Sequence, residues 1–297
     1  MPTIASSQSL TRLPSEVAVV APGATTRGAT GAHIGGRKTM EDVAVLFDGD
    51  ATFFGGGVFD GAGGPRAAKT AAAAFAHLFD ADRRANVDVM KDHFARAETQ
   101  TLATAAKKGK WPDVTTAVVA VVDADNVVVG WAGDSVALVV DDKHVTALTR
   151  PHLASDPTEA RRIKDAGGSV GRSPAEARAS STRKLVGKLA PAAAFGAGKK
   201  NPKRVYPGGI TVTRAIGGLP LKYADPKLVV AVPDVVVLPR NQIKPGSKLV
   251  LASDGLLEKL DHLALVDLIH NHPPDHVARV AADKNTNDNI ALAVFDL

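Results

Sequence analysis

Three apolar runs rich in β-branched residues follow one another closely in the middle of the chain, and they constrain the fold more than any other feature. They span Thr115–Val122, Val127–Ala132 and Val136–Val140, and the dipeptide Asp141-Asp142 then signals a turn. Short apolar runs separated by polar connections predict an antiparallel meander.

Segments with helical composition stand on both sides of this meander. Arg66–Phe79 and Val87–Lys107 precede it, and helices are predicted around His262–His270 and Asp275–Asp283. Long helices between groups of antiparallel strands indicate sheets covered by helices, which is an α+β fold. The other predicted elements are a helix at Thr158–Ala166 and strands at Val43–Phe47, Ala51–Phe59, Ile210–Ile216, Lys248–Ser253 and Ile290–Phe295.

Composition excludes several classes of function. The 297 residues are 45% hydrophobic and can bury a large core, whereas the absence of cysteine excludes disulfides and cysteine nucleophiles. No stretch approaches the roughly 18–20 apolar residues of a membrane span, so no membrane partner is expected. An aromatic content of 4% argues against nucleic-acid binding despite the net charge of +5. A cytoplasmic location is expected, with nuclear and organellar locations open.

Two segments are predicted to lack regular structure. Residues 1–27 have the composition of a flexible tail, and residues 171–203 carry eight Lys or Arg against the single acid Glu176. The second segment is interpreted as a basic, mobile insertion. Two roles stay open for it, a plain solvated loop or an arm that recognises an acidic partner.

Acidic residues recur at the ends of the predicted strands. Asp60, Asp134 and Asp254 each follow an apolar strand, and Asp288 precedes one. In an antiparallel sheet the start of one strand lies beside the end of its neighbour, so these carboxylates are expected at one edge. An Asp-Gly pair alone is more often only a turn. The repeated pattern is what indicates a site.

Clustered carboxylates need protons or cations to be stable. Two unit charges 4 Å apart repel by about 1 kcal/mol in water and about 4 kcal/mol at an effective dielectric constant of 20. Ligand sets made only of oxygen select hard ions, namely Mg²⁺, Mn²⁺ or Ca²⁺. Two such ions can activate a shared water for in-line attack on phosphorus. A phosphate-processing metal centre is therefore one hypothesis for this edge.

Eight segments, in this order, resemble those of the metal-dependent Ser/Thr phosphatases of type 2C. The resemblance covers about residues 27–297, and it implies a phosphatase-like domain over 28–297. It also implies a four-layer αββα sandwich, with two mostly antiparallel sheets flanked by helix pairs. The segments are "RKTMEDVAV", "GVFDGAGG", "TTAVVAVV", "WAGDSVALV", "RIKDAGGSV", "RVYPGGITVTRAIGG", "LVLASDGLLE" and "NDNIALAVF".

The resemblance implies a centre of two or three Mg²⁺ or Mn²⁺ ions. Asp60 would bridge two of them, and Gly61 would offer its carbonyl oxygen. Asp254 and Asp288 would ligate one ion, and Asp254 would also face a third, weaker one.

The same resemblance assigns roles around this centre. Glu41 and Asp42 would act mainly through water on the metal. Asp134 would help to hold the third ion, and Glu258 stands where the family often has Asp. Arg37 would bind the substrate phosphate, because guanidinium matches phosphate oxygens in pairs. Arg37 and the aspartate of "GVFDG" are the predicted catalytic residues.

The chain departs from the family pattern at three places. Ala62 replaces the usual histidine, which is the proposed general acid, and Gly218 replaces a usual aspartate; residues 171–203 form a longer segment than usual. The expected function is hydrolysis of phosphoserine or phosphothreonine in proteins, slowed by the missing acid. The alternative is a pseudophosphatase that binds metal and partner proteins with little turnover. A monomer is expected.

Overall fold

The fold is taken from a computed structural model that describes residues 27–47, 49–50, 52–176, 202–258, 260–284 and 286–297. The predicted tail up to residue 26 and residues 177–201 of the predicted insertion lie outside these ranges. Within the described ranges, no helix has the length and apolar character that a membrane crossing requires.

The described strands and helices alternate in groups along the chain. The strands are β1 Gly28–His33, β2 Val43–Phe47, β3 Phe54–Phe59, β4 Gly61–Ala62, β5 Val114–Thr115, β6 Ala117–Val122, β7 Asn126–Ala132, β8 Val136–Val140, β9 Val145–Ala147, β10 Ser169–Gly171, β11 Arg204–Tyr206, β12 Ile216–Gly217, β13 Asp234–Pro239, β14 Lys248–Ala252 and β15 Ile290–Asp296. The helices are α1 Arg66–Ala81, α2 Val87–Lys107, α3 Pro157–Asp165, α4 Leu219–Ala224, α5 His262–Asn271 and α6 Pro274–Asp283.

Two antiparallel sheets form the centre of the molecule. One has the strand order β1-β15-β14-β8-β9, and the other has the order β13-β7-β6-β3-β2. Alternation along β6 shows how they are covered: Val118 and Val122 face the other sheet, whereas Val119 packs beneath α1 and α2. Helices α5 and α6 cover the outer face of the first sheet. The predicted four-layer αββα sandwich is confirmed.

Small residues allow the helices to lie close to the sheets. α1 buries an alanine-rich stripe together with Phe75 and Phe79. On the other side, α6 begins against β1, where a Cβ atom on Gly31 would lie 2.2 Å from the carbonyl carbon of Pro274. Only glycine permits this approach, so the close contact between α6 and β1 depends on that position.

Several predicted boundaries differ from the structure. The continuous strand predicted at Ile210–Ile216 is wrong: Ile210 pairs with Val205, Val212 with Leu153 and Arg214 with Val230 in isolated bridges. These pairings go to three separate segments, so no single ladder can form. Strands β1 and β13 were not predicted from the sequence. The antiparallel pair β10-β11 places the two ends of the predicted basic insertion side by side.

Candidate active site

The register of the second sheet brings two of the predicted acids to one edge. Val43 at the start of β2 pairs with Phe59 at the end of β3. Asp42 and Asp60 are the next residues outward on the two strands, so both leave the sheet at the same edge.

The first sheet contributes its acids at this edge as well. Ala252, the last residue of β14, pairs with Val136, the first residue of β8. Asp254 and Asp134 therefore lie just beyond the same strand ends. Asp288 precedes β15, which is antiparallel to β14 and starts at this edge. The strand ends that precede or follow these acids thus lie at one edge in both sheets.

Two neighbouring threonines hold the backbone of Asp60. Its N–H donates to Thr116 Oγ1 at 3.2 Å, and its carbonyl oxygen accepts from the Thr116 N–H at 2.9 Å and from Thr115 Oγ1 at 3.0 Å. Thr116 Oγ1 also lies 2.6 Å from Ser135 Oγ. In the sequence, both threonines belong to the run Thr115–Val122 that is predicted as a strand, so the local pattern does not reveal this role.

The pKa values of Asp60 and Asp254 are raised by burial and by neighbouring acids. Burial raises the pKa of each carboxyl well above its usual value, and nearby acids raise it further. The acids that affect both are Asp42, Asp134 and Asp288.

Two further members of the set show the same effect. Burial, with the Asp288 charge adding to it, raises the pKa of Asp42 to about 7 and that of Asp134 to about 6. Asp42 is 7% exposed, and its Oδ2 atom has no hydrogen-bond partner among the described residues. A buried carboxylate oxygen without a partner is costly, so it calls for a proton or a cation.

The donor set at this edge fits a hard divalent ion. Its oxygens come from carboxylates and from the backbone, which are the ligands of Mg²⁺ and Mn²⁺. In the described part of the chain, no three His, Asp or Glu side chains lie close enough together to hold a metal ion as they stand. Repulsion between carboxylates acts over longer distances than a metal–oxygen bond of roughly 2.0–2.6 Å. The acids can therefore raise one another's pKa values without their oxygens lying within bonding distance of one ion.

Arg37 lies at the border of the acidic cluster. Its Nε donates to the Asn287 carbonyl oxygen at 2.8 Å, and its Nη2 donates to Asp288 Oδ2 at 2.7 Å. Burial alone would lower the pKa of Arg37, but attraction to Asp288, Asp60 and Glu41 raises it. The side chain is 55% exposed, so this guanidinium faces solvent as well as the cluster.

Asn289 organises the loop that carries Arg37 and Glu41. Its Oδ1 accepts from the Glu41 N–H at 2.8 Å, and its Nδ2 donates to the carbonyl oxygens of Ile34 and Thr39 at 2.8 and 3.1 Å. The sequence does not reveal this role, because the partners of Asn289 are about 250 positions away.

The remaining predicted ligands lie around the same edge. Gly61 approaches the Glu41 backbone so closely that a Cβ atom would lie 2.4 Å from its carbonyl oxygen. Glu41 Oε2 accepts from the Gly64 N–H at 3.2 Å, and Glu258 Oε2 accepts from Thr286 Oγ1 at 2.8 Å. The Glu258 charge contributes to the raised pKa of Asp254, so it belongs to the same electrostatic group.

Of the two replaced family positions, Ala62 lies in a small sheet ordered β12-β5-β4, and Gly218 directly follows β12 and precedes α4. Ala62 is exposed there and pairs with Val114. Gly218 has φ of +74°, and its N–H donates to the Asp113 carbonyl oxygen at 2.8 Å. The preceding N–H of Gly217 donates at 2.8 Å to Glu98, a carboxylate that also pairs with Lys222. Glu98 on α2 therefore supplies an acidic partner to this turn.

The chain also matches a known protein family over most of its length. The family model of protein phosphatase 2C matches residues 27–294. The chain belongs to the protein phosphatase 2C family. The type 2C resemblance inferred from the sequence is confirmed.

Individual 2C relatives agree with this assignment. A probable protein phosphatase 2C 45 of Oryza sativa subsp. japonica is 27% identical over 251 residues, covering 80% of this chain and 74% of the relative. A probable protein phosphatase 2C 22 of Arabidopsis thaliana is 29% identical over 161 residues, covering 49% of this chain but only 41% of the relative. The matched segment thus spans less than half the length of that plant protein.

A solved structure shares the fold. The serine-threonine phosphatase 2C from Toxoplasma gondii superposes with a TM-score of 0.70 at 22% identity, covering 90% of this chain and 94% of the other.

Proposed function

We propose that this 2C-family chain is a phosphatase that hydrolyses phosphoserine and phosphothreonine in proteins with the help of Mg²⁺ or Mn²⁺. The observation that carries the proposal is the edge where both sheets deliver carboxylates whose pKa values are raised by burial and by one another. Such a cluster is unfavourable unless cations neutralise it. The 2C family membership supplies the reaction type.

The chain's own residues divide into metal-holding and phosphate-holding groups. The ions would be held by Asp60, the Gly61 carbonyl oxygen, Asp254 and Asp288, with Glu41 and Asp42 acting through water and with Asp134 and Glu258 at a third, weaker position. Bound ions would supply Lewis acidity, which makes water a nucleophile at neutral pH and offsets charge on the phosphate.

Arg37 would orient the substrate phosphate. Its guanidinium is half-exposed, and its contact with Asp288 fixes its direction beside the cluster. Arginine binds phosphate oxygens in a planar, paired manner that lysine cannot reproduce. This side chain would therefore hold the phosphorus atom in line with the attacking water.

With alanine at position 62, no side chain at that position can protonate the departing alkoxide. General acid catalysis typically contributes about 10²–10⁴ in rate. Turnover on phosphoserine would be reduced accordingly, because serine alkoxide is a poor leaving group. Aryl phosphates need little protonation and would be affected least.

The alternative function is a pseudophosphatase, and the observation in its favour is the exposed methyl group of Ala62 where an acid would stand. One assay separates the two functions: Mn²⁺-dependent release of phosphate from a phosphoserine peptide, with Asp60→Asn as the matched control. We expect release from the wild-type chain and none above background from the variant. Binding of the phosphopeptide without release by either protein would favour the alternative.

A further inference from the structure

His152 contacts the turn that carries Asp134 from two sides. Its backbone N–H donates to the Gly133 carbonyl oxygen at 2.8 Å, and its Nδ1 accepts from the Gly133 N–H at 3.2 Å. The Gly133 carbonyl belongs to the peptide bond that leads directly into Asp134. One residue therefore fixes both polar groups of the glycine that precedes a predicted metal ligand.

The turn has little freedom to move away from His152. Gly133 has φ of +121°, and a Cβ atom there would lie 2.5 Å from Thr116 Cβ. The turn is thus packed against Thr116 on one side and bonded to His152 on the other. Trp131 stacks on the imidazole at 5.8 Å between centroids and 8° between planes, which fixes the ring orientation.

The second ring nitrogen connects the turn to charged residues farther away. His152 Nε2 lies 3.2 Å from Asp234 Oδ2, and Asp234 Oδ1 accepts from Arg214 Nη1 at 2.7 Å. Because Nδ1 accepts a hydrogen bond from Gly133, the proton of the neutral ring resides on Nε2 and is donated to Asp234. A neutral imidazole with this tautomer satisfies both contacts at once.

We infer that His152 is a positioning residue that sets the orientation of the Asp134 carboxylate and thereby the affinity of the weaker divalent-ion site. The inference rests on the proposed function, because it takes Asp134 as a ligand of that site. His152 is 4% exposed and lies behind the turn, so it acts through Gly133 and does not touch substrate.

Two substitutions separate the ring's two hydrogen bonds. His152→Asn keeps an oxygen close to the Nδ1 position and can still accept from Gly133, but it cannot reach Asp234. His152→Gln places its amide nearer the Nε2 position, so it can reach Asp234 and loses the acceptor for Gly133. Both replace the ring by a smaller polar side chain, so each controls for the packing loss of the other.

The readout is Mn²⁺ binding to the purified whole chain by titration calorimetry, with thermal unfolding recorded alongside. We expect His152→Gln to weaken the weaker class of Mn²⁺ sites about tenfold or more, and His152→Asn to stay within about threefold of wild type. The tighter sites should keep their affinity in both variants. Asp134→Asn should abolish the weaker class.

Other outcomes are distinguishable. Equal weakening in both variants with equal loss of thermal stability would mean that the ring only fills space, and it would overturn the inference alone. Unchanged weak sites in His152→Gln would overturn it as well. No Mn²⁺ uptake by the wild-type chain would overturn the inference and the proposed function together.

A measurement on the wild-type chain keeps the test independent of variant folding. In a ¹⁵N NMR titration with Mg²⁺, the Gly133 amide and His152 Nδ1 resonances should shift during the weaker binding phase. Resonances that stay fixed through that phase would contradict a positioning role.

Discussion

The carboxyl of Glu159 in α3 allows a direct test of how a buried charge outside the candidate site is stabilised. It is 4% exposed, and it accepts from Thr213 Oγ1 at 2.6 Å, from Arg214 Nη2 at 2.7 Å and from Arg162 Nη2 at 3.1 Å. Burial alone would raise its pKa, but these donors and their charges lower the pKa from 4.5 to about 2. At about 1.4 kcal/mol per pKa unit, the carboxylate contributes about 3 kcal/mol to the free energy of unfolding.

The sign of the pH dependence follows from the lowered pKa. A carboxyl whose pKa is lower in the folded state stabilises the protein fully above its unfolded pKa of 4.5. The contribution is lost as pH falls toward the folded pKa of about 2. By linkage, about 2 kcal/mol of it should be gone at pH 3.

The assay is urea unfolding of the wild-type chain and of Glu159→Gln between pH 7 and pH 3. We expect the variant to be less stable at pH 7 and the difference to shrink by about 2 kcal/mol by pH 3. Asp165→Asn on the same helix is the control, because its contact with Arg161 is solvent-exposed and should contribute little. A difference that stays constant over this pH range would refute the assignment of a lowered pKa to Glu159.

Three further predictions concern the site and the helix layer. Ala62→His should raise the rate on a phosphoserine peptide at least about tenfold and change the rate on an aryl phosphate little; equal gains on both would contradict the leaving-group argument. Arg37→Lys should raise KM for a phosphopeptide several-fold while Mn²⁺ affinity stays unchanged by calorimetry, because lysine cannot bind two phosphate oxygens in a plane; an unchanged KM would remove Arg37 from the phosphate site. Gly31→Ala should lower stability in urea unfolding by about 1–3 kcal/mol, because the added methyl group meets the Pro274 backbone; an unaltered midpoint would show that α6 is free to shift.

The sequence predicted the parts of the fold in which a local pattern coincides with burial. The runs that became β6, β7 and β8 are apolar and β-branched because both faces of these strands are covered. Strand β1 has the sequence "GATGAH", which has weak strand propensity, and it forms because six residues pair with β15. The stabilisation of β1 comes from pairing with a strand distant in sequence, so the residues of β1 show no strand pattern of their own.

In the candidate site, too, some residues could be predicted from the sequence and others could not. Its acids could be predicted because each follows or precedes a strand, and the strand ends determine where they meet. The contacts of His152 and Asn289 could not, because their partners lie 19 and about 250 positions away. Such contacts depend on the register between distant segments, which a single sequence does not reveal.

The acids at the candidate site leave from both sheets, and this has a thermodynamic consequence. An ion that bridged Asp60 at the end of β3 and Asp254 beyond β14 would connect the two layers of the sandwich. Its binding free energy would then add to the cohesion between the layers. Saturation at a hundredfold excess over Kd would contribute about 2.7 kcal/mol. The free energy of separating the two sheets would therefore depend on the divalent-ion concentration. A chelator would then destabilise the sandwich at positions remote from the ion site.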